Sequence, residues 1–143
     1  MVPQVKARIE AMVPRLAGRT EGAADLAELS RQQAWPQHTP FAHVVPAGLQ
    51  GRGATAAAGA FRQMYRELVS VVLTLRTYDL TSGDDVPELD ELIRAVLKAV
   101  AGWGPDEAVG VFDLARGSLI HNRDGVLVYQ LDFAIDDQLR IHA

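Results

Sequence analysis

Phe61-Arg62-Gln63-Met64-Tyr65-Arg66-Glu67-Leu68-Val69-Ser70-Val71-Val72-Leu73-Thr74-Leu75-Arg76-Thr77 decides the fold. Phe61, Tyr65, Val69, Val71, Leu73 and Leu75 share one face at even spacing, and Arg62, Arg66, Ser70, Thr74 and Arg76 fall mainly on the other. A period of two is the signature of a strand half-buried in a sheet. A strand of this length exceeds the usual five or six residues roughly threefold, so a bend or bulge near Glu67 is expected.

Downstream, Leu127, Tyr129, Leu131, Phe133 and Ile135 alternate in the same way with Val128, Gln130, Asp132, Ala134 and Asp136, and Leu139 and Ile141 continue the apolar series. Asn122-Arg123-Asp124-Gly125 before it is a strong hairpin signal, because Asp-Gly supplies the positive φ angles of a two-residue turn. Strands over Val109–Leu114 and Ser118–His121, joined by a turn at Arg116-Gly117, complete a predicted meander.

Upstream, Val2, Val5, Ile9, Met12, Val13 and Leu16 recur at spacings of three and four, which predicts a helix that Pro14 stops near Met12 or Val13. A second short helix is expected within residues 21–34, ended by Pro36 and Pro40. Phe41–Val45 reads as a short strand stopped by Pro46, with His43 at a sheet edge or interface. Residues 47–60 are small and Gly-rich, without periodicity, and read as a long mobile loop. After a turn-rich break at Asp79–Asp85, Val86, Leu89, Leu92, Ile93, Val96, Leu97 and Val100 form the apolar stripe of a third helix. Asp84 or Asp85 is its expected cap, Pro87 its first turn, and Gly102 and Gly104 its end. The expected fold is α+β: one domain over 1–143, a largely antiparallel sheet with helices on one face, long protruding strands and one mobile loop. Strands longer than the sheet needs can pair with a neighbouring subunit.

Composition bounds the function. The chain has 143 residues, enough for one domain and a real core. Its 48% apolar and 22% charged residues are ordinary globular usage, which argues against disorder. A net charge of −4 is no footprint for gripping nucleic acid, although a weakly acidic wall can surround DNA without binding it. The absence of cysteine removes disulfides, thiol chemistry and Cys-based zinc sites, and fits a reducing cytoplasm. No run approaches the ~20 apolar residues of a membrane helix, and the N-terminus lacks the apolar stretch of an export signal.

Reactive constellations are hard to find. Ser118, His121 and Asp124 crowd one hairpin and read as a polar turn rather than a nucleophilic triad. His38 and His43 are separated by Thr39-Pro40-Phe41 and have no acid close by, which is poor metal-ligand spacing. Asp84, Asp85, Glu88, Asp90 and Glu91 are explained by a helix N-terminus, and Asp132, Asp136 and Asp137 by a polar edge or lumen. Gly48, Gly51 and Gly53 lack the Lys-Ser/Thr and the following helix of a phosphate loop. Trp35 and Trp103, at element ends, suit partial core burial or a subunit interface. No enzyme chemistry, cofactor or metal is expected.

Three stretches carry a resemblance: the opening helix with Arg19-Thr20-Glu21-Gly22-Ala23-Ala24-Asp25-Leu26; Ala42–Gly48 with the Gly/Ala segment and Arg62–Leu73; and Leu89-Asp90-Glu91-Leu92 through Trp103 with Tyr129-Gln130-Leu131-Asp132-Phe133. In order and spacing the chain resembles the phage tail terminator (tail completion) family over nearly its whole length. That resemblance implies a virion protein of the tail and neck region, assembled in the bacterial cytoplasm. It implies a homo-hexameric ring on the finished tail tube that stops tube growth and joins the head connector, with DNA passing through its hole. The implied partners are the chain itself, the tail tube protein and the connector protein, and no membrane.

Strand length and loop composition, rather than the family, nominate the contact residues: Arg52, Arg62, Gln63, Tyr65 and Arg66 for a subunit or tube interface, and Asp132 and Asp136 for a lumen or edge. A head–tail connector or adaptor shares this chemistry-free profile. A small-molecule binding module or an enzyme of another type is the remaining alternative.

Overall fold

A computed structural model describes residues 1–77 and 87–142. Helix α1 spans Val2–Met12 and is followed by a 3-10 turn at Pro14–Leu16. Strand β1 (Thr20–Glu21) precedes α2 (Ala23–Arg31), and β2 (Phe41–Ala57) and β3 (Ala60–Arg76) form a long hairpin. Helix α3 (Pro87–Val100) leads to β4 (Asp113–Arg123) and β5 (Val126–His142). The five strands lie in the order β1-β2-β3-β5-β4, antiparallel except for the short parallel β1–β2 pair. The α+β expectation holds.

The even alternation of β3 and β5 survives as a register without a break, from Ala60 opposite His142 to Arg76 opposite Val126. Over Val69–Leu75 every β3 residue is buried, because this half of the sheet is covered on both faces. On one face Val69, Val71, Leu73, Leu131, Phe133 and Ile135 pack against Val5, Ile9 and Leu16 and against Leu92, Val96 and Val100 of α3. On the other, Val72, Val126 and Val128 pack under Leu26 of α2 and Trp35. The expectation of helices on one face therefore holds for α1 and α3, while α2 crosses to the opposite side. Its weak apolar side needs only a small patch, and Asp25 on it bonds the buried His43 at 2.7 Å.

Several local expectations are corrected. Residues 47–57 are not a mobile loop: β2 continues through Pro46 to Ala57 and turns back at Ala58-Gly59, both at positive φ. Pairing with β3 supplies the hydrogen bonds that a Gly/Ala sequence gives no hint of, and Pro46 is tolerated where β2 outruns β1 and becomes an edge. The expected irregularity near Glu67 lies instead on the partner strand. Extra β2 residues are accommodated between Pro46 and Gly48 and between Gly51 and Ala54, with Gly48 at φ 155°. His43 is not at an edge; it is fully buried between β1 and β3. Arg116-Gly117 is no turn: β4 runs unbroken from Asp113 to Arg123, with irregularities between Leu114 and Arg116 and between Leu119 and His121. Residues 109–112 precede that strand rather than form one. The Asp124-Gly125 turn is present, with φ 56° and 73°. The expected break at Asp79–Asp85 and the Asp84 or Asp85 cap lie outside the described residues.

Between α3 and β4 the chain is pinned by two close approaches. A Cβ on Gly104 would sit 2.3 Å from the Gly110 carbonyl oxygen, and one on Gly110 would sit 3.0 Å from that of Asp136. Phe112 then plugs the core, stacked on Trp103 with ring centroids 6.0 Å apart.

Candidate assembly surface

Helices cover only half of the sheet. Beyond Val69, the outer halves of β2, β3 and β5 continue as a three-stranded arm, on which Pro46–Ala57 and Leu139–His142 are exposed. Directly paired residues of antiparallel strands point to the same side, so the register assigns the two faces of the arm. One carries Phe61 beside Ile141, Gln63 beside Leu139, Tyr65 beside Asp137 and Leu49 beside Glu67. The other carries Arg62 beside Arg140 and Thr55, Met64 beside Gln138, and Arg66 beside Asp136 and Gln50.

The residues nominated from sequence divide between these faces. Arg66 is tied down at the root of the arm, with Nη2 2.8 Å from Asp113 Oδ1 and Nη1 3.4 Å from Asp136 Oδ1. It thereby links the arm to β4, and it brings together Arg66 and Asp136, nominated for different roles. Tyr65 donates to Asp137 Oδ2 at 3.3 Å, and Gln63 donates to the Arg52 carbonyl oxygen at 3.1 Å, which ties the β2 bulge to β3. Arg52 and Arg62 are exposed. Asp132 sits apart from these on the inner half of the sheet, where Ser70 Oγ and Gln130 Nε2 both donate to its Oδ1.

The Tyr65 phenol is pushed above its ordinary value, first by burial, then by the negative charge of Asp137 and its hydrogen bond, and by Glu67. A raised folded value means that the neutral phenol contributes stability fully present below the unfolded value near pH 10 and lost as pH rises through the folded one. In a spectrophotometric titration of the three tyrosines, Tyr65 should ionise late, and Tyr65→Phe should remove that late component. A variant that loses an early-ionising component and keeps the late one would contradict this environment.

The residues weighed for chemistry are placed as follows. His121 packs its ring against Trp35, 4.8 Å between centroids, and no hydrogen bond joins it to Ser118 or Asp124 among the described residues. His43 bonds Asp25 through Nε2, while its buried Nδ1 has no partner. Among the described residues no group of three His, Asp or Glu side chains is placed to hold a metal ion, and no helix is long and apolar enough to cross a membrane. Gly48, Gly51 and Gly53 lie in β2 rather than in a loop before a helix.

What sequence reasoning missed is the apolar character of the arm. Leu49, Leu139 and Ile141 are 70%, 42% and 52% exposed on the face that carries Phe61, and Asp113 is the second anchor of Arg66. The apolar series of β5 had continued to Ile141, but only the exposure of Leu139 and Ile141 shows that no helix among the described residues lies over its end.

The sheet is half-covered, and its long arm exposes apolar side chains on one side and arginines on the other. A model of the phage tail terminator proteins matches residues 1–143, the entire chain, and the protein belongs to that family. It is thus a structural component of a phage tail. No individually curated protein matches the sequence.

Proposed function

We propose that copies of this chain close into a ring, six-fold as the family resemblance implies, that caps the completed tail tube, stops its growth and presents the surface to which the head connector joins. The observation that carries this reading is the arm. A three-stranded antiparallel sheet normally buries one face, and among the described residues this arm leaves Leu49, Leu139 and Ile141 exposed beside the half-buried Phe61. Its outer edge, β2 beyond Val45, also has no strand paired to it among the described residues. Unpaired edges and exposed apolar faces mark interaction surfaces. The tail tube protein and the connector are the partners proposed for the two sides of the ring. DNA passes through the lumen without specific binding, with Asp132 and Asp136 at its wall or edge, Asp136 in its pair with Arg66.

The test is a phage or prophage in which this gene is interrupted. Tubes of irregular, excessive length lacking heads, restored to uniform length by the purified protein, are the expected result. Tubes of normal length that join heads in its absence would exclude the terminator role.

A further inference from the structure

Among the described residues the sheet has two free edges. One is the outer half of β2, Pro46–Ala57, beyond the reach of β1, and the other is β4, Asp113–Arg123. Every residue from Pro46 to Ala57 and from Asp113 to Gly117 is exposed. A free edge offers its backbone N–H and C=O groups to another strand, and three relations fit these two edges to each other.

The first is direction. β2, β3, β5 and β4 alternate, so β2 and β4 run in opposite senses. A second copy in the same orientation therefore brings its β2 antiparallel to the first copy's β4, with the helices of both on one side. The second is the placement of apolar side chains. Leu49, 70% exposed, shares through Glu67 and Ile135 the face that carries α1 and α3, and Leu114 and Leu119 share it through Phe133 and Tyr129. Between those two leucines, on the same face, Gly117 leaves a gap in the β4 row. Leu131 and Tyr129 lean over it, each with an atom 3.2 Å from where a Cβ would sit. The third is stagger. Leu49 opposite Gly117 offsets neighbouring copies by the four residues from Glu67 to Val71 of β3, roughly 13 Å, against roughly 19 Å for the width of four strands. The strands then tilt by about 35°, within the ~35–45° at which sheets close on themselves.

We infer that the outer half of β2 in one copy adds as an antiparallel strand to β4 of the next, with Leu49 over Gly117 between Leu114 and Leu119, and Gln50 beside Arg116. The inference rests on the reading of the chain as a ring-forming protein and names the strands that join. The occupant of each edge is a second copy because one chain supplies both edges, opposite in direction, apolar on a common face and offset by a closing stagger. The register shifts on both strands help to fix the pairing. They leave Gly48–Gly51 and Arg116–Leu119 as the regular stretches that can meet. The two edges differ, so the contact is heterologous and repeats from copy to copy until it closes.

The cysteine-free chain makes the test direct. Gln50 and Arg116 are exposed, and within one chain β3 and β5 stand between them. Three strand spacings hold them about 14 Å or more apart, too far for an internal disulfide. The double variant Gln50→Cys/Arg116→Cys should form a ladder of disulfide-linked oligomers on mild oxidation, at millimolar concentration or in completed tails. An equal mixture of the two single variants should form dimers that join the two different positions. Monomers only in both settings, or links confined to like positions, would overturn the inference.

Amide hydrogen exchange supplies a readout without substitution. On assembly, exchange should slow together in the outer half of β2 and in Leu114–Leu119. Slowing at one edge alone, or at neither, would overturn the pairing. Leu49→Asp should weaken self-association about tenfold or more, as loss of an apolar anchor does, with the melting temperature of the monomer unchanged. A Leu49→Asp variant that assembles like the parent would count against the contact. The two readings fail separately: capped tubes without cross-links reject the strand pairing alone, and cross-links with uncapped tubes reject the terminator role alone.

Discussion

Phe112→Ala should lower the stability of the monomer by about 3–5 kcal/mol, a loss on the scale of total domain stability. Phe112 is 1% exposed, in the main core cluster, and no other aromatic ring lies as deep on the α3–β4 connection. It also acts through the backbone. Its N–H donates to the Trp103 carbonyl oxygen at 2.7 Å, and its own carbonyl accepts from Gly102 at 2.8 Å, so the chain on both sides of the 104–110 excursion is tied at this residue. Arg8 extends the stack, with its guanidinium 5.1 Å from the Trp103 ring centroid and its Nε 2.9 Å from the Ala99 carbonyl oxygen. Truncation leaves a cavity that α1, α3 and β5 cannot all close, because Gly104 and Gly110 already touch backbone and leave the connection no slack. The urea midpoint of Phe112→Ala should fall steeply, while Phe112→Leu keeps most of the volume and should lose far less. A loss under about 1 kcal/mol for the alanine variant would mean that the plug is not what holds this connection.

That plug shows where sequence and structure part. Helices α1 and α3 were legible because each buries one stripe, and a stripe writes a 3.6-residue period into the chain. β3 and β5 were legible for the same reason with a period of two, and Asp124-Gly125 because a two-residue turn demands positive φ. The outer half of β2 was not. Ala47-Gly48-Leu49-Gln50-Gly51-Arg52-Gly53-Ala54 buries nothing within the chain, so selection of side chains by a core leaves no pattern, and the strand exists only through hydrogen bonds to β3. β4 was split in two by the same cause, since bulges at Ala115 and Ile120 shift the alternation that a reader of sequence relies on. Among the nominated residues, Arg62 and Arg66 could be placed on one face and Gln63 and Tyr65 on the other by alternation alone. The partners of Arg66 could not be: Asp113 is 47 residues away and Asp136 is 70. Distances of that kind are set by strand order, which no local pattern encodes.

Charge reversal on the cationic face of the arm, Arg62→Glu with Arg66→Glu, should abolish the proposed ring while leaving the monomer folded. The two arginines contribute differently, and the difference makes the result interpretable. Arg66 holds Asp113 and Asp136, so its reversal puts three carboxylates together at the root of the arm, and the arm loses its tie to β4. Those groups are half-exposed or more apart from Arg66 itself, and surface pairs of this kind are worth about 1 kcal/mol or less each. Arg62 is exposed and makes no ion pair among the described residues, so Arg62→Glu alone should leave monomer stability unchanged within about 0.5 kcal/mol. Assembly multiplies what folding barely registers. A penalty of about 2 kcal/mol at a desolvated contact between subunits recurs at every interface of a closed ring. A ring then pays it as many times as it has members, whereas the monomer loses the Arg66 ties once. Native mass measurements should show the parent's largest species replaced by monomer in the double variant, with Arg62→Glu alone intermediate, and far-UV spectra and melting temperatures close to the parent's. Complementation with the double variant should leave tails unfinished. A double variant that forms the parent's assemblies and completes tails would show that this face of the arm meets neither a neighbouring subunit nor the tube.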